Sequence, residues 1–216
     1  MDIAVNLVES YLRFNGYLTL SEFEVQARNE HGDFESVTDV DIMAIRFPGD
    51  VVVGGPDGGI AARMLVIEDP ALRLEPGQID VIVGEVKQGP AEFNPGIRRH
   101  VVLHSVLQRV QWLFARELSA VVNDLARDDI CMVPARDGGV IRVRMVAFGR
   151  SDGHGLHAIG HGHIIRTMLG FLSGLDDAFR PVQLREPAPA MLALLVKSGF
   201  DVVARPARGL SPDPTG

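Results

Sequence analysis

The chain has 216 residues, of which 46% are hydrophobic and 23% charged, and its formal net charge is −7 at pH 7. These values suit one domain, or one domain with appendages, and the negative charge argues against a general polyanion-binding protein. A single cysteine, Cys131, excludes an intrachain disulfide and a cysteine zinc site. No apolar run approaches the length of a membrane span and no signal peptide is visible, so we expect a cytoplasmic protein without a membrane partner.

The first predicted element is an amphipathic helix over residues 4–15 that ends at Gly16. Glu9 lies four residues after Val5 and three before Leu12, so its carboxylate shares the apolar stripe of that helix. A glutamate at such a position either reaches solvent from the flank of the stripe or belongs to a site.

Two strands follow. Residues 20–28 alternate between apolar and polar side chains, and residues 38–47 carry apolar side chains on both faces, as in a strand covered on both sides. A turn over residues 31–36 predicts that the two strands form an antiparallel hairpin. Asp39 and Asp41 share one face of the second strand, and a carboxylate there needs a partner such as a metal ion or a lysine. Alternation alone does not choose between them.

An insertion over about residues 48–78 has a glycine-rich turn at residues 54–59 and predicts an extra hairpin. The next strand, residues 79–88, is rich in β-branched residues and contains Glu85 and Lys87 on one face. The chain has 21 lysines and arginines, and only Lys87 and Lys197 are lysine. Because lysine is a compact point charge and arginine a planar fork, Lys87 indicates a chemical requirement. A purely structural Glu–Lys pair is the alternative.

The remaining chain predicts helices over residues 97–127 with a break near Glu117, strands at 130–134 and 140–148, and helices at 162–172 and 189–197. The two strands either form a hairpin or complete the central sheet. The proline- and glycine-rich residues 204–216 predict a flexible tail. Arg98, Arg99 and Arg109 are candidate phosphate contacts, with a solvated helix face as the alternative.

Four histidines, His154, His157, His161 and His163, fall close together in a glycine-rich segment. Imidazole suits zinc or nickel, so a histidine metal site is one hypothesis. The absence of an accompanying carboxylate pattern favours a structural or loop role. His163, near a predicted helix start, is also placed to contact a phosphate.

In chain order, a helix glutamate, a strand aspartate and a strand Glu-x-Lys resemble the PD-(D/E)XK nuclease superfamily. The matching residues are Glu9 in LVESYL, Asp41 in TDVDIMAIRF, and Glu85 with Lys87 in VGEVKQG. The resemblance covers about residues 3–115 and favours Asp41 over Asp39. It implies an α/β, restriction-endonuclease-like fold with a central mixed sheet of four to five strands flanked by helices. We expect one such domain over residues 1–203, and the insertion at 48–78 departs from the pattern.

The resemblance also implies a chemistry. Asp41 and Glu85 would bind Mg²⁺ or Mn²⁺, with help from the Val86 carbonyl and from Glu9, and Lys87 would position or polarise the attacking water. The expected function is a metal-dependent nuclease acting on DNA more than on RNA. The alternative is a catalytically silent nuclease-fold module that binds or assembles within a larger nucleic-acid-processing or defence complex. A homodimer or a complex subunit is compatible with both.

Overall fold

The computed structural model describes residues 2–28, 30–50, 52–54, 57, 59–63, 66–151, 155–173 and 186–203. Helix α1 (Ile3–Phe14) begins at Asp2, whose side chain accepts a hydrogen bond from the Ala4 N–H at 2.7 Å. The chain leaves α1 through Gly16, whose φ of 82° is readily adopted only by glycine. Each end of the helix lies within one residue of the predicted bounds, residues 4–15, and the Asp2 cap was not predicted.

Strands β1 (Leu18–Arg28) and β2 (Phe34–Arg46) form the predicted antiparallel hairpin. The insertion contains a second antiparallel hairpin, β3 (Val52–Gly54) and β4 (Ile60–Arg63), in a separate two-stranded sheet. Strand β5 (Gln78–Pro90) then pairs antiparallel with β2, from Ile42 opposite Gly84 to Arg46 opposite Asp80. The strands that hold the predicted aspartate and Glu-x-Lys are thus neighbours, as the site requires.

The segment after β5 contains two short 3₁₀ turns and two α-helices. These are a 3₁₀ turn at Pro95–Arg98, α2 (His100–Leu107), a second 3₁₀ turn at Gln108–Leu113, and α3 (Leu118–Asp128). The predicted break near Glu117 is confirmed. The remaining elements are β6 (Ile130–Pro134), β7 (Val140–Arg150), β8 (Ala158–Gly160), α4 (His161–Ser173) and α5 (Pro187–Lys197).

The main sheet has the order β1-β2-β5-β7-β6, and β8 also pairs with β7. The β5–β7 and β7–β8 pairs are parallel and the others antiparallel, so the sheet is mixed and the fold class is α/β. The described residues thus form six strands in this sheet, where the sequence predicted four to five. The sequence missed β8 because three residues in a glycine- and histidine-rich segment give no periodicity. The predicted tail, residues 204–216, lies outside the described residues.

Helices cover both faces of the sheet. On one face α2 and α3 pack on Met43, Val81, Val83 and Val143, and on the other α1, α4 and α5 pack on Ile42, Ile82 and Phe148. Each such fully buried side chain contributes roughly 1.5–3 kcal/mol before the cost of chain ordering. None of the described helices has both the length and the apolar character needed to cross a bilayer.

A buried network of charged side chains links β5 and β7 to the segment that precedes β5. Asp80 accepts hydrogen bonds from Arg142 Nε at 2.6 Å and from Arg144 Nη2 at 2.9 Å. The two guanidinium groups also donate to the carbonyls of Leu72 and Arg73. The network therefore fixes the chain that leads into β5, the strand that carries Glu85.

Candidate active site

Asp41 and Glu85 meet where β2 and β5 separate. The last pair in the ladder at this end is Ile42 opposite Gly84, so the register continued by one residue places Asp41 opposite Glu85. The Val86 N–H donates to Asp41 Oδ2 at 2.7 Å, which turns this carboxylate towards β5. Asp39 is exposed, so the structure brings Asp41 to Glu85 and leaves Asp39 outside this contact.

The packing around residue 84 explains why a glycine precedes Glu85. A Cβ at this position would collide with Ile42 Cγ2 and would lie 3.1 Å from the Phe148 ring. A side chain here would force β2 and β5 apart beside Asp41 and Glu85. The glycine is therefore a packing requirement of the site.

Lys87 forms an ion pair with Glu85 through Nζ and Oε1, as expected for two residues on one face of a strand. The Glu85 side chain is 5% exposed and that of Lys87 is 38% exposed. The ammonium therefore reaches solvent from a largely buried carboxylate. The ammonium is therefore accessible to a molecule that enters the site from solvent.

The surroundings of Asp41 and Glu85 disfavour the ionised forms of both carboxyl groups. Burial raises the pKa of Glu85 above its ordinary value, the nearby Asp41 charge raises it further, and Lys87 opposes the change. Burial likewise raises the pKa of Asp41, against the Val86 hydrogen bond and the Lys87 charge. The single positive charge of Lys87 does not offset the cost of burying two ionised carboxylates. A further cation would therefore stabilise this arrangement.

Glu85→Gln is expected to raise the melting temperature in chelator at neutral pH. A carboxylate with a raised pKa stabilises the folded state at acid pH and loses that contribution as the pH rises through the raised value. The gain should be about 2–4 °C, equivalent to roughly 1 kcal/mol for a domain of this size. It should shrink as the pH falls towards the ordinary glutamate value of 4.5. Melting curves of both proteins over a pH series measure this, and a pH-independent difference would contradict it.

Glu9 is buried on α1, with 5% of the residue exposed, and does not reach solvent from the flank of the apolar stripe. Its Oε1 accepts hydrogen bonds from Arg13 Nη2 at 2.7 Å, Thr19 Oγ1 at 2.9 Å and Ser21 Oγ at 3.2 Å. Ser21 lies opposite Ile42, which follows Asp41 in β2. Ile42 belongs to the face that α1 covers, so Glu9 is anchored through one oxygen on that face, and no hydrogen bond or ion pair between described residues joins it to Asp41 or Glu85.

The donor set suits a hard divalent cation. Mg²⁺ keeps several waters and is usually bound through one or two carboxylates, which Asp41 and Glu85 supply. In the part of the chain that the structure describes, no group of three or more histidine, cysteine, aspartate or glutamate side chains is arranged to hold a metal. The predicted set of Glu9, Asp41 and Glu85 therefore stays a prediction, in which Asp41 and Glu85 have the supporting geometry.

The predicted phosphate contacts have different surroundings. Arg98 pairs with Asp129 at 2.8 Å and lies over the Phe93 ring, 5.2 Å from its centroid. Arg109 lies 4.6 Å from the centroid of Phe23 and donates to a backbone carbonyl. Arg99 is exposed. Two of the three arginines therefore already have partners within the chain.

The described histidines do not converge. His157 Nδ1 lies 3.0 Å from the Met145 carbonyl, and His163 Nε2 lies 2.7 Å from Asp69 Oδ2. Burial lowers the pKa of His161. His154 lies outside the described residues. The histidine-metal hypothesis has no support in the described part of the segment.

A cleft of about 560 Å³ lies at the other end of the β2–β5 ladder and is lined by residues that include Arg46, Glu68, Arg73 and Glu75. Arg46 is five residues along β2 from Asp41, which corresponds to roughly 17 Å at the rise of a strand. The cleft and the facing carboxylates are therefore separate features. The chemistry of the predicted site lies with the carboxylates.

Sequence reasoning missed the partners of Glu9. Arg13 is four residues after Glu9 on one helix, which is a spacing that favours an ion pair and was available in the sequence. Thr19 and Ser21 share one face of β1, but nothing in the sequence places that face under α1.

No protein-family model, no curated protein and no solved structure matches the chain.

Proposed function

We propose that this chain is an Mg²⁺-dependent nuclease that hydrolyses phosphodiester bonds of nucleic acid, with DNA favoured over RNA. The observation that carries the proposal is the meeting of Asp41 and Glu85 at the divergence of two neighbouring strands, with Lys87 on Glu85. The restriction-endonuclease-like fold is part of the same proposal. The α/β architecture and the adjacent β2 and β5 support it.

Each residue has a role that follows from its position. Asp41 and Glu85 would hold the cation, which supplies a water of lowered pKa and a positive charge for the phosphate oxygens. The Val86 N–H fixes the orientation of Asp41. Lys87, anchored on Glu85 and partly exposed, would donate a hydrogen bond to the attacking water and hold it in line with the phosphorus. A role for Glu9 in this site rests on the family resemblance alone.

The second candidate is a nuclease-fold module that binds or assembles without cleavage. The internal partners of Arg98 and Arg109 favour it, because they leave fewer free cations for phosphates. The net charge of −7 acts in the same direction. Such a module would bind a protein partner or a nucleic acid and leave the nucleic acid intact.

Cleavage is expected to require Mg²⁺ or Mn²⁺, and Ca²⁺ should support binding without efficient turnover because it is larger and activates water poorly. Glu85→Ala should abolish turnover by removing a ligand. The measurement is cleavage of labelled single-stranded and duplex DNA and RNA with each ion and with chelator. Glu75→Ala is the matched control, because Glu75 is an exposed glutamate three residues before β5 and away from the carboxylate pair.

Two results would contradict the proposal. Cleavage that persists in chelator would exclude the metal site. Intact substrates under every condition, together with a melting temperature that Mg²⁺ leaves unchanged, would favour the binding module.

A further inference from the structure

An exposed tryptophan lies on the 3₁₀ turn at Gln108–Leu113. Side chains three residues apart in a 3₁₀ turn lie one above the other. Val110 and Leu113 are the buried pair of this turn, and Arg109 and Trp112 are an exposed pair. Trp112 is 60% exposed and is the only tryptophan of the chain. The Arg109–Trp112 ridge therefore presents a large flat ring to solvent beside a cation.

Two arginines next to Trp112 have uncharged partners. Arg109 lies 4.6 Å from the centroid of the Phe23 ring and donates to a backbone carbonyl. Arg136 donates through Nε to the carbonyl of Phe114, two residues after Trp112, at 2.8 Å. An aromatic ring or a carbonyl orients a guanidinium without neutralising it. These contacts therefore leave both positive charges available to a phosphate.

The ridge belongs to a basic segment, residues 93–116, which has four arginines, two histidines and no aspartate or glutamate. The net charge of the whole chain is −7, so the positive charge is concentrated here. Arg98 and Arg116 pair with carboxylates at the surface. Because such exposed pairs contribute little, a phosphate can replace the carboxylate. A local stretch of arginines beside an exposed aromatic ring is typical of a nucleic-acid contact.

The basic segment covers the face of the sheet on which Lys87 lies. Glu85 and Lys87 alternate along β5 in step with Val81 and Val83, which pack against α2. The segment follows β5 directly in the chain and contains α2. A nucleic-acid strand that lies on the segment would therefore be on the same face as the ammonium of Lys87.

We propose that the Arg109–Trp112 ridge binds single-stranded nucleic acid, with Trp112 stacked on an unpaired base and with Arg109 and Arg136 on the neighbouring phosphates. In a duplex the faces of the bases are covered by their neighbours, so an exposed ring selects an unpaired strand. The proposal deepens the proposed function and rests on it for the role of the strand as a substrate. The binding itself can be measured without cleavage.

Trp112 reports on its own contact, because no other tryptophan contributes to the fluorescence of the protein. Wild type is titrated in chelator with short single-stranded DNA, with RNA of the same sequence and with the matching blunt-ended duplex. The affinities of Trp112→Ala, Trp112→Phe and Arg109→Gln are read from the polarisation of a dye-labelled single strand. Phe200→Ala is the matched control, because Phe200 is a similarly exposed aromatic residue, 63%, outside the basic segment.

Single strands should quench the fluorescence of Trp112, and the duplex should leave it unchanged. Trp112→Ala should bind single strands about 5- to 100-fold more weakly, and Trp112→Phe should recover part of the affinity because it keeps a ring. Arg109→Gln should weaken binding and reduce its salt dependence. Phe200→Ala should bind as wild type does. With Mg²⁺, Trp112→Ala should raise KM for a single-stranded substrate and leave kcat unchanged.

Unchanged fluorescence with single strands, equal quenching by the duplex, or wild-type affinity in Trp112→Ala would overturn this role and leave the nuclease proposal intact. A dimer that shields Trp112 in the protein alone would assign the ring to an interface between two copies and would also overturn it. Quenching by single strands without cleavage in any metal ion would support the binding surface and overturn the nuclease function.

Discussion

Lys87→Ala is expected to lower metal-dependent cleavage by about 10²- to 10⁴-fold, the usual contribution of a side chain that handles a proton or a water in the transition state. The fold should remain, because the Lys87 side chain is 38% exposed and the buried Glu85, whose pKa is already raised, can take up a proton when it loses its partner. Cleavage rates at saturating Mg²⁺, together with melting curves, measure both parts of the prediction.

The chain supplies its own control for this experiment. Lys197, the only other lysine, is exposed at the end of α5, and Lys197→Ala should cleave as wild type does. Lys87→Arg should be nearly as damaging as Lys87→Ala, because a guanidinium is larger, planar and differently hydrated. Wild-type cleavage by the arginine variant would show that position 87 needs only a positive charge.

Asp80→Asn is expected to reduce the free energy of unfolding by about 3–5 kcal/mol, because it leaves two buried guanidinium groups without their counter-ion. The side chains of Arg142 and Arg144 are 7% and 0% exposed. Burial alone would raise the pKa of Asp80, but the Arg144 charge and the hydrogen bonds from both arginines hold it below its ordinary value. The ionised form therefore stabilises the fold, and that contribution is lost as the pH falls through the lowered pKa.

Urea unfolding of Asp80→Asn and Asp124→Asn measures this effect. Asp124 also accepts from two arginines, Arg116 and Arg127, but at the surface, and its variant should stay close to wild type in stability. Equal stability of the two variants would show that the buried network contributes no more than an exposed one.

Sequence patterns predicted the elements that have a clear period. The hydrophobic stripe of α1, the alternation in β1 and the apolar run in β5 each have enough residues to fix the element and its buried side. Strand β8 was missed because it has three residues. The pairing of β2 with β5 was expected only through the family resemblance, since no local pattern encodes a contact between residues 42 and 84.

In the candidate site, too, local sequence patterns predicted some features and tertiary contacts determine the others. Glu85 and Lys87 were placed on one face because a strand has a period of two, and they form an ion pair. The choice of Asp41 over Asp39 depends on where β2 leaves β5, which is a property of tertiary structure. The Asp80 network was not predicted, because its aspartate in β5 and its two arginines in β7 are more than sixty residues apart in the chain.

The most direct test of a cation site at Asp41 and Glu85 is a Mn²⁺ titration followed by electron paramagnetic resonance of the free ion. The account predicts that wild type binds the ion, that Asp41→Asn and Glu85→Gln lose this binding, and that Asp39→Asn retains it. Asp39 is the matched control because it lies on the same strand as Asp41 but is exposed. Binding that is equal in wild type, Asp41→Asn and Glu85→Gln, or absent from wild type, would contradict the account.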